Sequence, residues 1–424
     1  MGEIIEINKK EIIHNIINLR QLVFEVTDAC NLKCKYCGYS DLYEGYDKRE
    51  NLSFPFHRAK LIIDYLYGYW KMNFCEGIQK TVLVSFYGGE PLLNVPFIQE
   101  VISYVEGLPY VEGLPYVGRF FRYSMTTNAM LLDRYMDFLV TNKFQLLISL
   151  DGDEKGQSYR VDLRGNNSFK RVYGNILLLR ERYPDFFLTN VNFNSVLHNR
   201  NDIASIYSFI KGEFGKEPML SPLNDSGIRK DKRNEFERTY RSISDNLKQS
   251  SNCEVLEKEM FIRAPQAARL MDYIRTYSGN VYGNYSKLLI DKEKLLYHPT
   301  GTCVPFSKKM FVTVKGKILQ CEKINHEFAL GVVTDDQVLL DLDFVVEQHN
   351  KYTWKYMRQC EKCSIKYHCT NCVYQIDDIK EENIKCPFIK TQKYIDEQEA
   401  LALSYLGKHP ELYKRILNEV IIRG

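Results

Sequence analysis

A chain of 424 residues that is 45% hydrophobic, 26% charged and 13% aromatic has the makeup of a globular protein of two or three domains. Its 57 Lys and Arg against 54 Asp and Glu leave a formal charge of +3, too near balance to call for nucleic acid or an anionic membrane as partner. The opening MGEIIEINKKEIIHNIINLR scatters charge where a secretion signal is apolar, and no apolar run is long enough to cross a bilayer, so the expected location is cytoplasmic.

Residues 1–20 are expected to form an N-terminal extension. Strand candidates then recur at QLVFEVT (21–27), TVLVSFY (81–87), FFRYSMT (120–126), FQLLISL (144–150), FLTNVNFNSVL (187–197) and EPMLSPL (217–223). Helix-like stretches such as HRAKLIIDYLYGYWKM fill the gaps. Strands alternating with helices predict βαβ units, a parallel sheet and an α/β fold over 21–223, curled into an incomplete barrel. In such barrels chemistry sits on the loops that follow the strands. Charge-rich 224–297 predicts a mainly helical bridge. Periodicity weakens over 298–390 as cysteines accumulate, and 391–424 predicts a C-terminal helix. The doubled YVEGLP within 104–118 is too short a repeat for a solenoid and predicts a lengthened surface loop.

Twelve cysteines in a reducing compartment point to metal or catalysis rather than disulfides. Cys30, Cys34 and Cys37 fall in CNLKCKYC directly after the first strand, and seven more lie between 303 and 386. A tetrahedral zinc site wants a fourth ligand, yet no His or Cys occurs in the nineteen residues after Cys37. A [4Fe–4S] cluster on three thiolates keeps one iron open for something else.

C-x3-C-x2-C with Tyr36 before the third cysteine resembles the signature of radical S-adenosylmethionine enzymes, whose open iron is chelated by the amino and carboxylate groups of S-adenosylmethionine. The resemblance implies a 5′-deoxyadenosyl radical made with one electron, and a TIM-like partial (β/α)6 barrel. YGGEP resembles the family's glycine-rich motif, which gives Gly88, Gly89 and Glu90 a place at the methionine end. Thr126 and Asn128 in TTN, and Ser149 and Asp151 in SLDG, would contact ribose hydroxyls and the methionine moiety. Arg160 in SYRVD resembles the arginine that faces the methionine carboxylate, with Arg164 as its rival.

Downstream, Cys303 and Cys321 flank a hairpin-like element at Gly316, CEKCSIKYHCTNC supplies Cys360, Cys363, Cys369 and Cys372, and IKCPF supplies Cys386. Paired C-x2-C is also zinc-ribbon spacing, and a zinc-stabilised interaction protein is the reading from another class. The arrangement resembles the SPASM extension, which implies two auxiliary [4Fe–4S] clusters and three in all. Cys360, Cys363, Cys369 and Cys386 would fully ligate one, and Cys303, Cys321 and Cys372 would hold the other, its fourth corner open or closed by Cys253 or His298. The two residues between Cys369 and Cys372 depart from the family's usual three. Cys75 is expected to pack as an apolar residue, and His368 to lie at the surface.

The resemblance implies a maturase that abstracts hydrogen from a ribosomally made peptide and installs a thioether or carbon–carbon crosslink, or else an anaerobic sulfatase maturase that makes formylglycine. Implied partners are the precursor peptide, a reductant such as flavodoxin or ferredoxin, and a separate leader-recognition protein.

Overall fold

The computed structural model describes residues 3–72, 81–108, 120–260, 270, 296–297, 299–366, 369, 371–377, 379–382 and 385–419. Cys75, His298, His368 and most of the YVEGLP repeat fall outside the described residues, as does much of the bridge after 260. No helix among the described residues is long and apolar enough to cross a membrane. The chain divides into two compact units.

The first unit, Ile7–Arg241 with Cys303–Asn350, is built on a ten-stranded mixed sheet. Numbered within that sheet, its strands are β1 (Gln21–Thr27), β2 (Thr81–Gly88), β3 (Phe120–Thr127), β4 (Gln145–Ser149), β5 (Val191–Val196), β6 (Met219–Ser221), β7 (Met310–Val312), β8 (Lys317–Leu319), β9 (Gly331–Val333) and β10 (Val338–Leu339). β1 to β6 lie side by side in chain order, all parallel. Helices α1 (Lys9–Ile17), α2 (Phe56–Met72), α3 (Val95–Glu106), α4 (Leu132–Thr141), α5 (Phe169–Arg182), α6 (Pro184–Asn190) and α7 (Ile203–Phe214) complete the α/β alternation.

Alternation along the strands separates two faces. Leu22, Phe24 and Val26 of β1, Val82, Val84 and Phe86 of β2, and Leu146 and Ile148 of β4 are buried. Phe24 meets Phe54 and Phe97 of α3 at ring distances of 5.7 and 5.9 Å. The opposite face is polar: Gln21 donates to Ser85 Oγ at 2.7 Å, and Ser85 and Ser124 hydroxyls meet at 2.6 Å. A polar inner face suits a chamber that receives a ligand rather than a packed barrel core.

Two expectations need correction. Residues 187–190 continue helix α6 instead of opening the fifth strand, because Pro184 starts a helical turn that buries Phe186 and Phe187. And residues 303–350 fold with the barrel unit: β7 pairs in parallel with β1, and β8 to β10 extend the sheet as an antiparallel meander. Met310, Phe311, Val312, Ile318, Leu319 and Val333 are buried there, which is enough apolar surface to fold as sheet. Gly316 turns the β7–β8 hairpin at φ +83°, and a Cβ there would stand 2.4 Å from the Val333 carbonyl oxygen.

The second unit gathers Met1–Glu6, Ser242–Thr302 and Lys351–Gly424. Glu3–Ile4 pairs in parallel with Leu296–Tyr297. Short helices Ile243–Gln249, Cys253–Met260 and Met357–Glu361 precede two C-terminal helices, Gln392–Lys408 and Glu411–Glu419, which flank Pro410. The single terminal helix of the sequence expectation is thus two.

Candidate functional site

β1 to β5 run parallel, so the loops after them gather at one edge of the sheet, and every barrel residue singled out from the sequence lies there or on the adjoining inner face. The loop after β1 is anchored first. The Asp28 carboxylate accepts the backbone N–H groups of Glu50 and Leu52 at 2.8 and 2.7 Å, and Thr27 Oγ1 donates to the Leu52 carbonyl. The segment Leu32–Cys34 then forms a small antiparallel ribbon with Arg160–Asp162, opposing Cys34 to Arg160.

Each of the three thiols meets a different N–H donor. The Leu32 backbone and the Asn128 side-chain amide point at Cys30 Sγ (3.5 and 3.7 Å), Arg160 Nη1 at Cys34 Sγ (3.9 Å) and Arg49 Nη2 at Cys37 Sγ (3.5 Å). Burial pushes the Cys30 thiol up to about 11 and the Cys34 thiol up to about 12, so a cation is needed to draw off their protons near neutrality.

Gly88 and Gly89 make room for the backbone of the cysteine loop. A Cβ on Gly88 would lie 2.3 Å from the Thr27 carbonyl oxygen, and one on Gly89 would lie 1.9 Å from that of Ala29. Freed of side chains, the turn donates Gly89 N–H to Thr27 O at 2.8 Å and Glu90 N–H to Ala29 O at 2.9 Å, which splints the root of the cysteine loop. The buried Glu90 carboxylate accepts from Leu92 N, Thr127 Oγ1 and Asn128 N at 3.1, 2.7 and 2.8 Å. Burial outweighs these donors and raises Glu90 to about 7. Asn128 is held in turn: its Nδ2 donates to Asn31 Oδ1 at 2.7 Å.

Asp151 and Arg160 stand paired with each other. Arg160 Nε and Nη2 reach the two carboxylate oxygens at 2.9 and 3.1 Å, Val196 N–H adds a third donor at 2.9 Å, and Tyr36 OH a fourth. Burial works to raise Asp151, but the Arg160 guanidinium and the hydrogen bonds prevail and hold it down to about 2. Tyr36 stacks on the His198 ring at 5.6 Å, and Tyr159 packs on the same imidazole at 4.8 Å. Thr126 and Ser149 are half-buried on the polar inner face. Arg164 is exposed on a turn whose backbone N–H donates to Asp162.

Sequence reasoning passed over three residues here. Glu25, buried in β1, accepts from Tyr39 OH and from Val314 N–H at 2.8 Å, and burial raises it. One carboxylate inside QLVFEVT was the available signal. Arg49 lies 4.4 Å over the Tyr39 ring, with its Nε buried and unpartnered. His198 follows β5 with nothing in the sequence to mark it.

In the second unit, Cys360, Cys363, Cys369 and Cys386 line one apolar cavity with Thr300, Tyr356 and Ile376. Two of these sulfurs have a donor: Lys390 N–H at 3.4 Å for Cys363 and Asn371 Nδ2 at 3.8 Å for Cys369. Thr300 adopts φ +67°, an unusual conformation for a β-branched residue. Gly301 N–H to Asn371 O (3.0 Å) and Val373 N–H to Thr302 Oγ1 (2.9 Å) hold that segment. Cys303 and Cys321 belong to the barrel unit, and Cys372 to the second unit. Among the described residues, no three His, Cys, Asp or Glu side chains meet around a single metal ion.

Residues 24–210 match the family model of the radical SAM superfamily. Residues 24–210 thus carry a radical SAM domain. It is 31% identical over 216 residues to the cysteine-type anaerobic sulfatase-maturating enzyme of Clostridium novyi, a match covering 49% of this chain and 53% of that one. The chain thus spans about half the length of that relative. Among solved structures, native anSMEcpe with bound AdoMet aligns over 95% of this chain and 100% of its own, with a TM-score of 0.57 and 19% identity. Streptococcus suis SuiB bound to precursor peptide SuiA aligns over 86% and 77%, with a TM-score of 0.50 and 14% identity. At those identities the likeness is one of fold. The family implies a [4Fe–4S] cluster and S-adenosylmethionine, and three thiols on one loop, each facing an N–H donor, are a donor set that fits such a cluster. A radical SAM domain over 24–210 is an enzyme fold, which speaks against the zinc-stabilised interaction protein.

Proposed function

We propose that this enzyme is a maturase that abstracts a hydrogen atom from a ribosomally made peptide and closes an intramolecular thioether or carbon–carbon crosslink. Cys30, Cys34 and Cys37 hold the cluster that, with S-adenosylmethionine, supplies the hydrogen-abstracting radical. Tyr36, Gly88, Gly89, Glu90, Thr126, Asn128, Ser149, Asp151 and Arg160 shape the cofactor's seat. They do so in two ways: Asn128, Thr126 and Ser149 offer polar groups, while Gly88, Gly89, Glu90 and the Asp151–Arg160 pair fix the loops.

The observation that carries this reading is the cavity lined by Cys360, Cys363, Cys369 and Cys386. Four thiolates close all four corners of a [4Fe–4S] cluster, which leaves no iron for a cofactor and suits it to electron transfer. Crosslinking needs such an acceptor. A carbon–hydrogen bond breaks, the partner atom gives up a proton, the new bond forms and one electron is left over. Cys303, Cys321 and Cys372 are the proposed ligands of a third cluster, and a flavodoxin or ferredoxin the proposed reductant.

The similarity to anaerobic sulfatase-maturating enzymes favours a second reading, oxidation of a sulfatase Cys or Ser to formylglycine. Anaerobically reconstituted enzyme, offered a cysteine-bearing precursor peptide and a sulfatase active-site peptide in parallel, separates the two by mass spectrometry. Loss of two hydrogens from the precursor with no carbonyl formed supports crosslinking. An aldehyde on the sulfatase peptide alone overturns it in favour of the second reading.

A further inference from the structure

The cavity of the second unit holds one polar group that its thiols do not account for. Tyr356 is fully buried and lines the cavity, and its hydroxyl has no hydrogen-bond partner among the described residues. A hydroxyl in a dry site without a partner is costly and uncommon in a native fold, so its position asks for an acceptor absent from the protein itself.

The surroundings narrow what that acceptor is. Two of the four sulfurs already receive an N–H group, Cys363 from Lys390 and Cys369 from Asn371. One donor is a backbone amide and the other the Asn371 side chain. Tyr356 differs in kind: its backbone carbonyl accepts the Cys360 N–H at 2.8 Å, which fixes it one turn before the first thiol, while its ring reaches into the cavity. A phenol has only two side-chain torsions, so little freedom is lost in aiming it.

We propose that the Tyr356 hydroxyl donates a hydrogen bond to a sulfur of the cluster held by Cys360, Cys363, Cys369 and Cys386, and that it raises that cluster's reduction potential. This rests on the proposed reading of the cavity as an auxiliary-cluster site. Reduction adds negative charge that spreads over the sulfurs, so a donor stabilises the reduced state more than the oxidised one. Tyr356 is therefore a tuning residue for electron acceptance and touches no substrate.

The test uses the full chain reconstituted anaerobically with iron and sulfide. Cys363→Ala first checks the site: loss of one cluster's iron supports the underlying reading, and unchanged iron and sulfide content overturns that reading itself. Tyr356→Phe keeps the ring and removes the donor. Unchanged iron content with a more negative midpoint potential for the signal that Cys363→Ala removes, followed by electron paramagnetic resonance, supports the proposal. An unchanged potential overturns it and leaves the cluster reading standing. Should Tyr356→Phe take up no cluster, 3-fluorotyrosine placed at position 356 keeps the hydroxyl and strengthens it as a donor. The potential then moves to more positive values if the proposal holds, and an unmoved value overturns it.

Discussion

In the barrel unit, Cys30, Cys34 and Cys37 hang from the end of a strand whose other residues are packed under helices, and their donors include Arg49, Asn128 and Arg160, from three separate loops. In the second unit, Cys360, Cys363, Cys369 and Cys386 line a cavity whose donors, Lys390 N–H and Asn371 Nδ2, come from the cysteine-bearing segments themselves. The same residue type is thus held in two ways. The barrel would position its thiols with or without metal, since sheet and helices bury their own apolar face. Among the described residues the second site has few buried side chains around it, chiefly Tyr356, Val373, Tyr374, Ile376 and Ile379, so the cluster proposed there would supply folding free energy.

The largest expected effect breaks that comparison or keeps it. After iron is removed by anaerobic chelation, amides of β1 to β5 should keep their hydrogen-exchange protection. Those of residues 357–366 and 385–390 should lose about a hundredfold, roughly 3 kcal/mol of local opening free energy. Equal loss in both places would show that the barrel too depends on its cluster. The single-site counterparts follow the same line. Cys34→Ala should abolish 5′-deoxyadenosine formation, while Cys363→Ala should retain it and lose peptide product, as measured by chromatography with dithionite as reductant.

Next in size is Arg160→Met. Asp151 and Arg160 are both buried, so removing the guanidinium strands a carboxylate that now sits near 2. A loss of about 3–5 kcal/mol is expected in urea unfolding of the barrel unit, with much of it recovered in the Asp151→Asn, Arg160→Met double variant. A loss below about 1 kcal/mol would mean that water reaches the pair.

These residues also show how far the sequence could be followed. The first four strands and the loops after them were legible because period-two apolar patterning and the cysteine spacing are local signals. The Asp151–Arg160 pair was not: each residue was assigned to the cofactor singly, and nothing in SLDG or SYRVD tells that the small ribbon over 32–34 and 160–162 joins them. Gly88 and Gly89 were assigned to the cofactor, but the neighbour they admit, the 27–29 backbone, is set by the tertiary fold. The hairpin at Gly316 was expected, but not its joining the barrel sheet, because strands of two or three residues carry too short a pattern and β7's partner β1 is almost 290 residues away.

Glu90 sharpens the comparison from the side of pH. The folded barrel binds its proton more tightly than the unfolded chain, with the group at about 7 against an ordinary 4.5. Stability of the barrel unit should therefore be greatest below about 4.5 as far as this group is concerned, fall as pH rises to about 7, and stay flat above that. The full span is roughly 3 kcal/mol. Glu90→Gln should flatten the slope of thermal midpoint against pH in that window, and a slope unchanged by the substitution would assign it to other groups.

The smallest effect is the most discriminating for the cofactor seat. Arg160 and Arg164 were rivals for the cofactor's carboxylate, and the fold gives them opposite circumstances. Arg160 is buried with its Nε and Nη2 on Asp151, and its Nη1 turns to Cys34, whereas Arg164 is exposed on the Asp162–Asn166 turn. An exposed arginine removed from a turn whose backbone is held by the Asp162 carboxylate should change stability by no more than about 0.5 kcal/mol. Arg164→Ala should accordingly leave both the unfolding midpoint and the KM for S-adenosylmethionine as they are. A tenfold rise in that KM at unchanged stability would reverse the assignment. Arg164 would then swing in to meet the carboxylate, and the buried Arg160 would serve only to hold Asp151 and the Cys34 ribbon in place.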